Sequence, residues 1–194
     1  MRRAQIDRRT NETDISLSLT LDGAGTAELD TGVFFFEHML RTLAKHGGFD
    51  LKVKARGDLE IDAHHTVEDI GIALGLAFRE AVGDKRGIER FSSAYVPLDE
   101  ALAFACVDVS GRPFAALDLA LVEGKHMEGF DSWLLAEFFR AFAFNAGITL
   151  HLTVEKGANP HHMAEAAFKA LARALRGAVR VTGESIPSTK GTLG

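Results

Sequence analysis

Two stretches, Asp62-Ala63-His64-His65-Thr66-Val67-Glu68 and Asn159-Pro160-His161-His162-Met163-Ala164-Glu165, carry the same chemistry in the same order. Each sets a helix-capping residue, a spacer, a His pair, and a Glu four positions after the first His. Residues four apart share a helix face, so His64 with Glu68, and His161 with Glu165, can each grip one metal ion. Adjacent residues on a helix diverge by about 100°, so His65 and His162 must serve a different ion from their neighbours. If the two helices face each other the copies cross-pair: His65 joins His161 and Glu165, while His162 joins His64 and Glu68. Aligning the halves on the His pairs sets His38 opposite Glu137, giving one ion His38 and the other Glu137 as a fourth ligand. Nitrogen and oxygen donors without thiolate suit manganese, iron, nickel or zinc, and more than four ligands favour an octahedral ion over structural zinc. The repeat thus predicts one dinuclear site.

The elements that must position these residues repeat as well. Alternating or β-branched runs at 4–10, 13–21 and 25–30 read as strands. A helix over 33–46 follows, stopped by Gly47-Gly48, then a strand over 49–55 and a helix over 63–82 capped by Asp62. The second half runs through strands at 95–98, 101–109 and 113–119, a helix over 132–146 ending at Gly147, and a strand over 148–155. Its last helix covers 160–179, with Asn159 as cap and Pro160 at the first helical position. Both halves read β-β-β-α-β-α, as residues 1–90 and 91–194. This predicts an α+β fold: an internal duplication with two mainly antiparallel sheets, each with helices packed on one face.

Hydrophobic content of 46% and charged content of 25% suit a globular protein, and a net charge of -5 argues against a nucleic-acid partner. The chain lacks an apolar run long enough to span a bilayer, which predicts no membrane partner. Cys106, the single cysteine, lies in an apolar run as a small buried hydrophobe and leaves no disulfide framework, which suits the cytoplasm. Asp69 suits a helix N-terminus, and a protonated His46 a helix C-terminus. His126 sits in a polar loop with no partner nearby. His151 faces opposite its apolar strand neighbours. The Gly-rich stretch 183–194 reads as irregular.

The chain resembles the imidazoleglycerol-phosphate dehydratase family. The landmarks are Phe35-Phe36-Glu37-His38-Met39-Leu40, His64-His65-Thr66-Val67-Glu68-Asp69, Asp99-Glu100-Ala101, Ser110-Gly111-Arg112-Pro113, His161-His162-Met163-Ala164-Glu165-Ala166 and Pro187-Ser188-Thr189-Lys190-Gly191. The resemblance implies a fold like the second domain of ribosomal protein S5, two manganese ions per active site, and a homo-24-mer with sites where subunits meet. It implies dehydration of imidazole glycerol phosphate to imidazole acetol phosphate in histidine biosynthesis, with the metals as Lewis acids and template. Glu12 becomes the candidate base that takes the proton from carbon 2, and Asp99 and Glu100 are weaker acid–base or orienting candidates. His38, His46, His64, Glu68, His161, Arg90, Arg112, Lys169, Ser188, Thr189 and Lys190 become substrate contacts, the arginines clasping phosphate. The 187–191 segment is then expected to order over bound ligand. Glu137 departs from the family, where His is common at that place. A phosphoester hydrolase, which would want an Asp-rich ligand set, and a non-catalytic or nucleic-acid-binding assembly are the competing readings.

Overall fold

The computed structural model describes residues 1–127 and 129–193. The first half forms β1 (Arg3–Arg9), β2 (Thr13–Thr20), β3 (Ala27–Asp30), α1 (Phe34–Gly47), β4 (Asp50–Gly57) and α2 (His64–Val82). The second forms β5 (Phe91–Leu98), β6 (Ala101–Asp108), β7 (Phe114–Asp118), a short β8–β9 hairpin (His126–Met127, Phe130–Asp131), α3 (Trp133–Ala146), β10 (Thr149–Lys156) and α4 (Pro160–Ala178). The hairpin has no counterpart in the first half, and strands of two residues are too short to carry a periodic signal.

Strand order is β1-β2-β4-β3 in one sheet and β5-β6-β10-β7 in the other. Two antiparallel pairings and one parallel pairing occur in each, the parallel ones being β3 with β4 and β7 with β10. A helix bridges each parallel pair, as a parallel connection requires. Left-handed Gly48 (φ 69°) and Gly147 (φ 66°) close α1 and α3 and release the chain into β4 and β10.

Apolar residues alternate along the strands, so each sheet has one core face. Ile15, Leu17 and Leu19 of β2 stand opposite Ala55, Val53 and Leu51 of β4. Ala103, Ala105 and Val107 of β6 stand opposite Val154, Leu152 and Leu150 of β10. Cys106 falls between Ala105 and Val107 on the outward face and is half-buried. The uniformly apolar run hid this alternation, so the expectation of a buried thiol is corrected. His151 is exposed, as expected.

The helices lie between the sheets, with α1 packed on α4 and α2 on α3. The second contact is set by two glycines. A Cβ on Gly75 would meet Phe142 O at 2.7 Å and Ala146 N at 2.8 Å, and one on Gly71 would meet Phe138 O at 3.0 Å. Backbone atoms in a rigid helix have little room to give way. No helix among the described residues is long and apolar enough to cross a membrane.

Gly75→Ala should therefore destabilise the protein by about 1–3 kcal/mol through overpacking, against a helix-propensity gain of roughly 1 kcal/mol. Denaturant unfolding measures the sign, and a stabilised variant would show that the two helices can separate freely.

Candidate active site

Both His pairs begin a helix, and a side chain two residues earlier fixes each start. Asp62 Oδ1 accepts the His64 N–H at 2.7 Å and Asn159 Oδ1 accepts the His161 N–H at 2.9 Å. The helical backbone begins one residue later than expected, at His64, so Ala63 takes the N-cap position expected for Asp62, which holds the helix start from one residue earlier. Helix α1 is set by Glu37, whose carboxylate accepts from the Thr31 N–H (2.7 Å) and hydroxyl (3.1 Å).

The α1–α4 contact gathers His38, His161 and Glu165, whose candidate ligand atoms lie within 4.8 Å of one another. His38 Nε2 and His161 Nε2 stand 3.3 and 3.2 Å from Glu165 Oε2. Phe35, one turn before His38, meets the His161 ring edge-on at a centroid distance of 5.3 Å. Lys169 reaches Glu165 Oε1 at 2.9 Å. Burial opposes ionisation of Glu165, but the contacts from Lys169 and His38 win and hold its carboxyl below the ordinary value.

At the α2–α3 contact the expected second set of His64, Glu68 and Glu137 does not close to ligand distance among the described residues. His64 Nε2 lies 3.3 Å from Glu68 Oε2, and its ring stacks on Trp133 at 5.2 Å. Glu137, one turn beyond Trp133, is paired with Arg140 at 2.9 Å. A cleft of about 380 Å³ is bordered by Phe35 and Trp133, the aromatic supports of His161 and His64.

His65 and His162 point elsewhere. His65 Nδ1 meets Asp58 Oδ2 at 2.9 Å, with Nε2 3.7 Å from Glu12 Oε1. His162 Nδ1 meets Glu100 Oε2 at 2.8 Å. Within one chain, therefore, each is directed at carboxylates on its own half. These hydrogen bonds raise both imidazole pKa values. Glu100 also accepts from the Asn159 and Ala158 N–H groups at 2.9 and 3.2 Å. Its carboxyl is lowered to about 2, by His162 first and those backbone donors next.

Apart from Lys169, which stays with Glu165, the cationic candidates collect at the other end of the second sheet. Arg90, in the left-handed region at φ 72°, donates to Asp108 through Nε (2.8 Å) and Nη2 (3.1 Å), and to Pro187 O through Nη1 (2.9 Å). Arg112 Nη2 touches the same Asp108 at 3.4 Å, with its side chain 64% exposed. Residues 182–193 are irregular but tied down: Gly87 N–H donates to Ser185 O and Thr182 N–H to Gly87 O, both at 2.8 Å. Ser188, Thr189 and Lys190 thus lie beside Arg90. Strand β6 separates the two groups, with Glu100 before its first residue and Asp108 its last. At about 3.3 Å per residue they stand roughly 25 Å apart.

Three expectations change. His46 is not favoured as a cation: burial first, then the charges of Lys169 and Arg173, push its pKa down. His126 has a partner, Asp131 Oδ1 at 2.7 Å. Asp69 does more than favour a helix start, because it is buried and its Oδ2 accepts from the Thr13 hydroxyl (2.5 Å) and Arg8 (3.0 Å). It thereby fastens the turn that carries Glu12 to helix α2. Asp58, Asp108 and Trp133 carry no periodic signal: Asp58 reaches His65 across a loop, and Asp108 and Trp133 meet Arg90 and His64 from other segments.

Residues 31–175 match the family model described as imidazoleglycerol-phosphate dehydratase. The chain belongs to the imidazoleglycerol-phosphate dehydratase family. Membership makes it a hydro-lyase. Its relatives of that name include one from Gluconobacter oxydans, 59% identical over 99% of this chain and 98% of the relative. Another, from Symbiobacterium thermophilum, is 60% identical over 97% of this chain and 91% of the relative. The solved structure of the Pyrococcus furiosus family member is 39% identical, with a TM-score of 0.84 over 97% of this chain and 100% of that one. That from Staphylococcus aureus gives 0.82 at 38% identity, over 93% and 99%. These matches agree with the duplicated α+β architecture.

Asp69→Ala leaves Arg8 and Thr13 without their shared acceptor and should lower unfolding free energy by about 2–4 kcal/mol. Urea titration checks this, and a loss within about 0.5 kcal/mol would mean the turn holds without it.

Proposed function

We propose that this chain catalyses the manganese-dependent dehydration of D-erythro-imidazole glycerol phosphate to imidazole acetol phosphate, in histidine biosynthesis in the cytoplasm. The observation that carries the metal dependence is the convergence of His38, His161 and Glu165 at the α1–α4 contact, in a member of this family. Two imidazoles and a carboxylate fit an octahedral divalent ion that keeps positions open for substrate. One manganese ion would be held by His38, His161, Glu165 and a His65, the other by His64, Glu68, Glu137 and a His162. Bound manganese supplies Lewis acidity and a template for the substrate imidazole.

Each chain places the ligands of one metal in two directions, and Arg90 and Arg112 lie about 25 Å from its His162 end. Both facts support sites completed by several copies. The outer face of the second sheet supports self-association, because Phe91, Tyr95 and Phe114 are more than half exposed there. We assign the assembly as a homo-24-mer. Arg112, Lys190, Ser188 and Thr189 would bind phosphate, with Arg90 shaping that pocket through Asp108 and Pro187. Lys169 holds Glu165 in its ionised form.

Glu12 is the base. It sits in the β1–β2 turn, its side chain is half exposed, and among the described residues its carboxylate meets only the His65 ring. It takes the proton from carbon 2, the electron pair of that bond forms the carbon 2–carbon 3 double bond, and the hydroxyl at carbon 3 leaves with its bonding pair and becomes water with the proton removed from carbon 2. The enol then becomes the ketone. Proton removal by a placed carboxylate contributes about 100- to 10,000-fold in rate.

Purified protein supplied with manganese and imidazole glycerol phosphate should release the ketone. Inorganic phosphate in its place would instead indicate a phosphoester hydrolase. Glu165→Gln should lose bound manganese and turnover together, and unchanged manganese content would defeat its assignment as ligand. Glu12→Gln should keep metal and assembly while kcat falls about 100-fold or more. Full activity in that variant would remove it as the base.

A further inference from the structure

The five histidines of the candidate centre all meet carboxylates, but not through the same nitrogen. His38, His64 and His161 aim Nε2 at Glu165 or Glu68, at 3.2–3.3 Å. That is close to the separation of two donors sharing one ion at bonds of about 2.1 Å. His65 and His162 instead engage Nδ1, with Asp58 and Glu100 respectively. In all five rings Nε2 is therefore the nitrogen available to a metal.

The Nδ1 pairings are not copies of each other. Asp58 follows β4, in the loop before α2, whereas Glu100 lies in the β5–β6 turn. That turn corresponds in the first half to the β1–β2 turn, which carries Glu12. Different places in the fold thus supply the same contact to the second His of each pair, so the pairing is not a by-product of the duplication. Stability does not explain it for Asp58 either. Its Oδ1 is buried with no hydrogen-bond partner among the described residues, while Oδ2 faces His65. An unsatisfied buried carboxylate oxygen opposes folding.

We propose that Asp58 and Glu100 are positioning residues, which hold the Nδ1–H of His65 and His162 and present Nε2 outward to metal ions completed by another copy of the chain. The inference rests on the metal reading given above. It divides the labour between two related turns: Glu100, held by His162 and two backbone N–H groups, orients a ligand. Glu12 is left free to meet substrate because Asp58 has taken the orienting task in its half. A carboxylate behind a ligating imidazole fixes its tautomer and strengthens it as a donor.

The test is made on full-length assembled protein, reading the manganese dissociation constant by competition with a chelator, and the Tm of the metal-free form. Asp58→Ala and Glu100→Ala should each weaken manganese binding about 10- to 100-fold. Asp58→Asn and Glu100→Gln, whose amide oxygens still accept from Nδ1–H, should recover part of the loss. Metal-free Asp58→Ala should melt at or above the wild-type temperature, because it sheds an unsatisfied oxygen. Affinities within about twofold of wild type (well under the tenfold expected) in both Ala variants overturn the proposal. So does a lowered Tm with affinity unchanged, which marks a purely structural role. Wild-type protein that takes up no manganese overturns the metal reading itself, whereas wild-type binding with insensitive variants defeats only the positioning role.

Discussion

Neighbouring side chains leave an α-helix about 100° apart, and that angle governs much of how this molecule is arranged. At the start of α4 it lets His161 turn inward to His38 and Glu165 while His162 turns toward Glu100. At the start of α2 it sends His64 to Glu68 and Trp133, and His65 to Asp58. A helix cannot relax this divergence without breaking its hydrogen bonds. One chain therefore aims the two histidines of each pair at different groups, and the surroundings must hold both in place.

The scaffold answers with two kinds of rigidity. Interlocked helices place the inward-facing ligands: α1 against α4, and α2 against α3 at glycine-lined backbone distance. Short charged contacts place the outward-facing ones, from loops and turns that the sheets hold still. Asp69 belongs with the second kind, because it anchors the Glu12 turn to the helix that carries His64, His65 and Glu68. Its counterpart in the second half is Ala166, and there Glu100 binds the β10–α4 junction instead. The halves share an architecture while their turns are fastened by different chemistry.

What the sequence disclosed follows range. His64 with Glu68, and His161 with Glu165, are contacts four residues apart on a helix, so spacing alone reveals them. The cap at Asn159, the Asp62 contact to His64 and the stops at Gly48 and Gly147 are local for the same reason. The groups around Asp108 and Trp133 depend on which distant segments the fold brings together, such as the register that sets Phe91 opposite Asp108, while Asp58 meets His65 through the course of an irregular loop. Cys106 was misplaced because alanine reads as apolar on either face of a sheet. His46 was misjudged because its burial, and then the basic groups on α4 that oppose its protonation, arise from segments far along the chain.

Strand β6 has the carboxylate that steadies His162 just before it and the carboxylate that gathers Arg90 and Arg112 at its far end. The two groups thus stand at opposite ends of one rigid bar, roughly 25 Å apart. Under the proposed assembly, chemical competence would be a property of the population, and newly made chains would stay inert until enough of them meet. Each chain would lend its two ends to different sites, so one damaged copy would be felt at more than one of them.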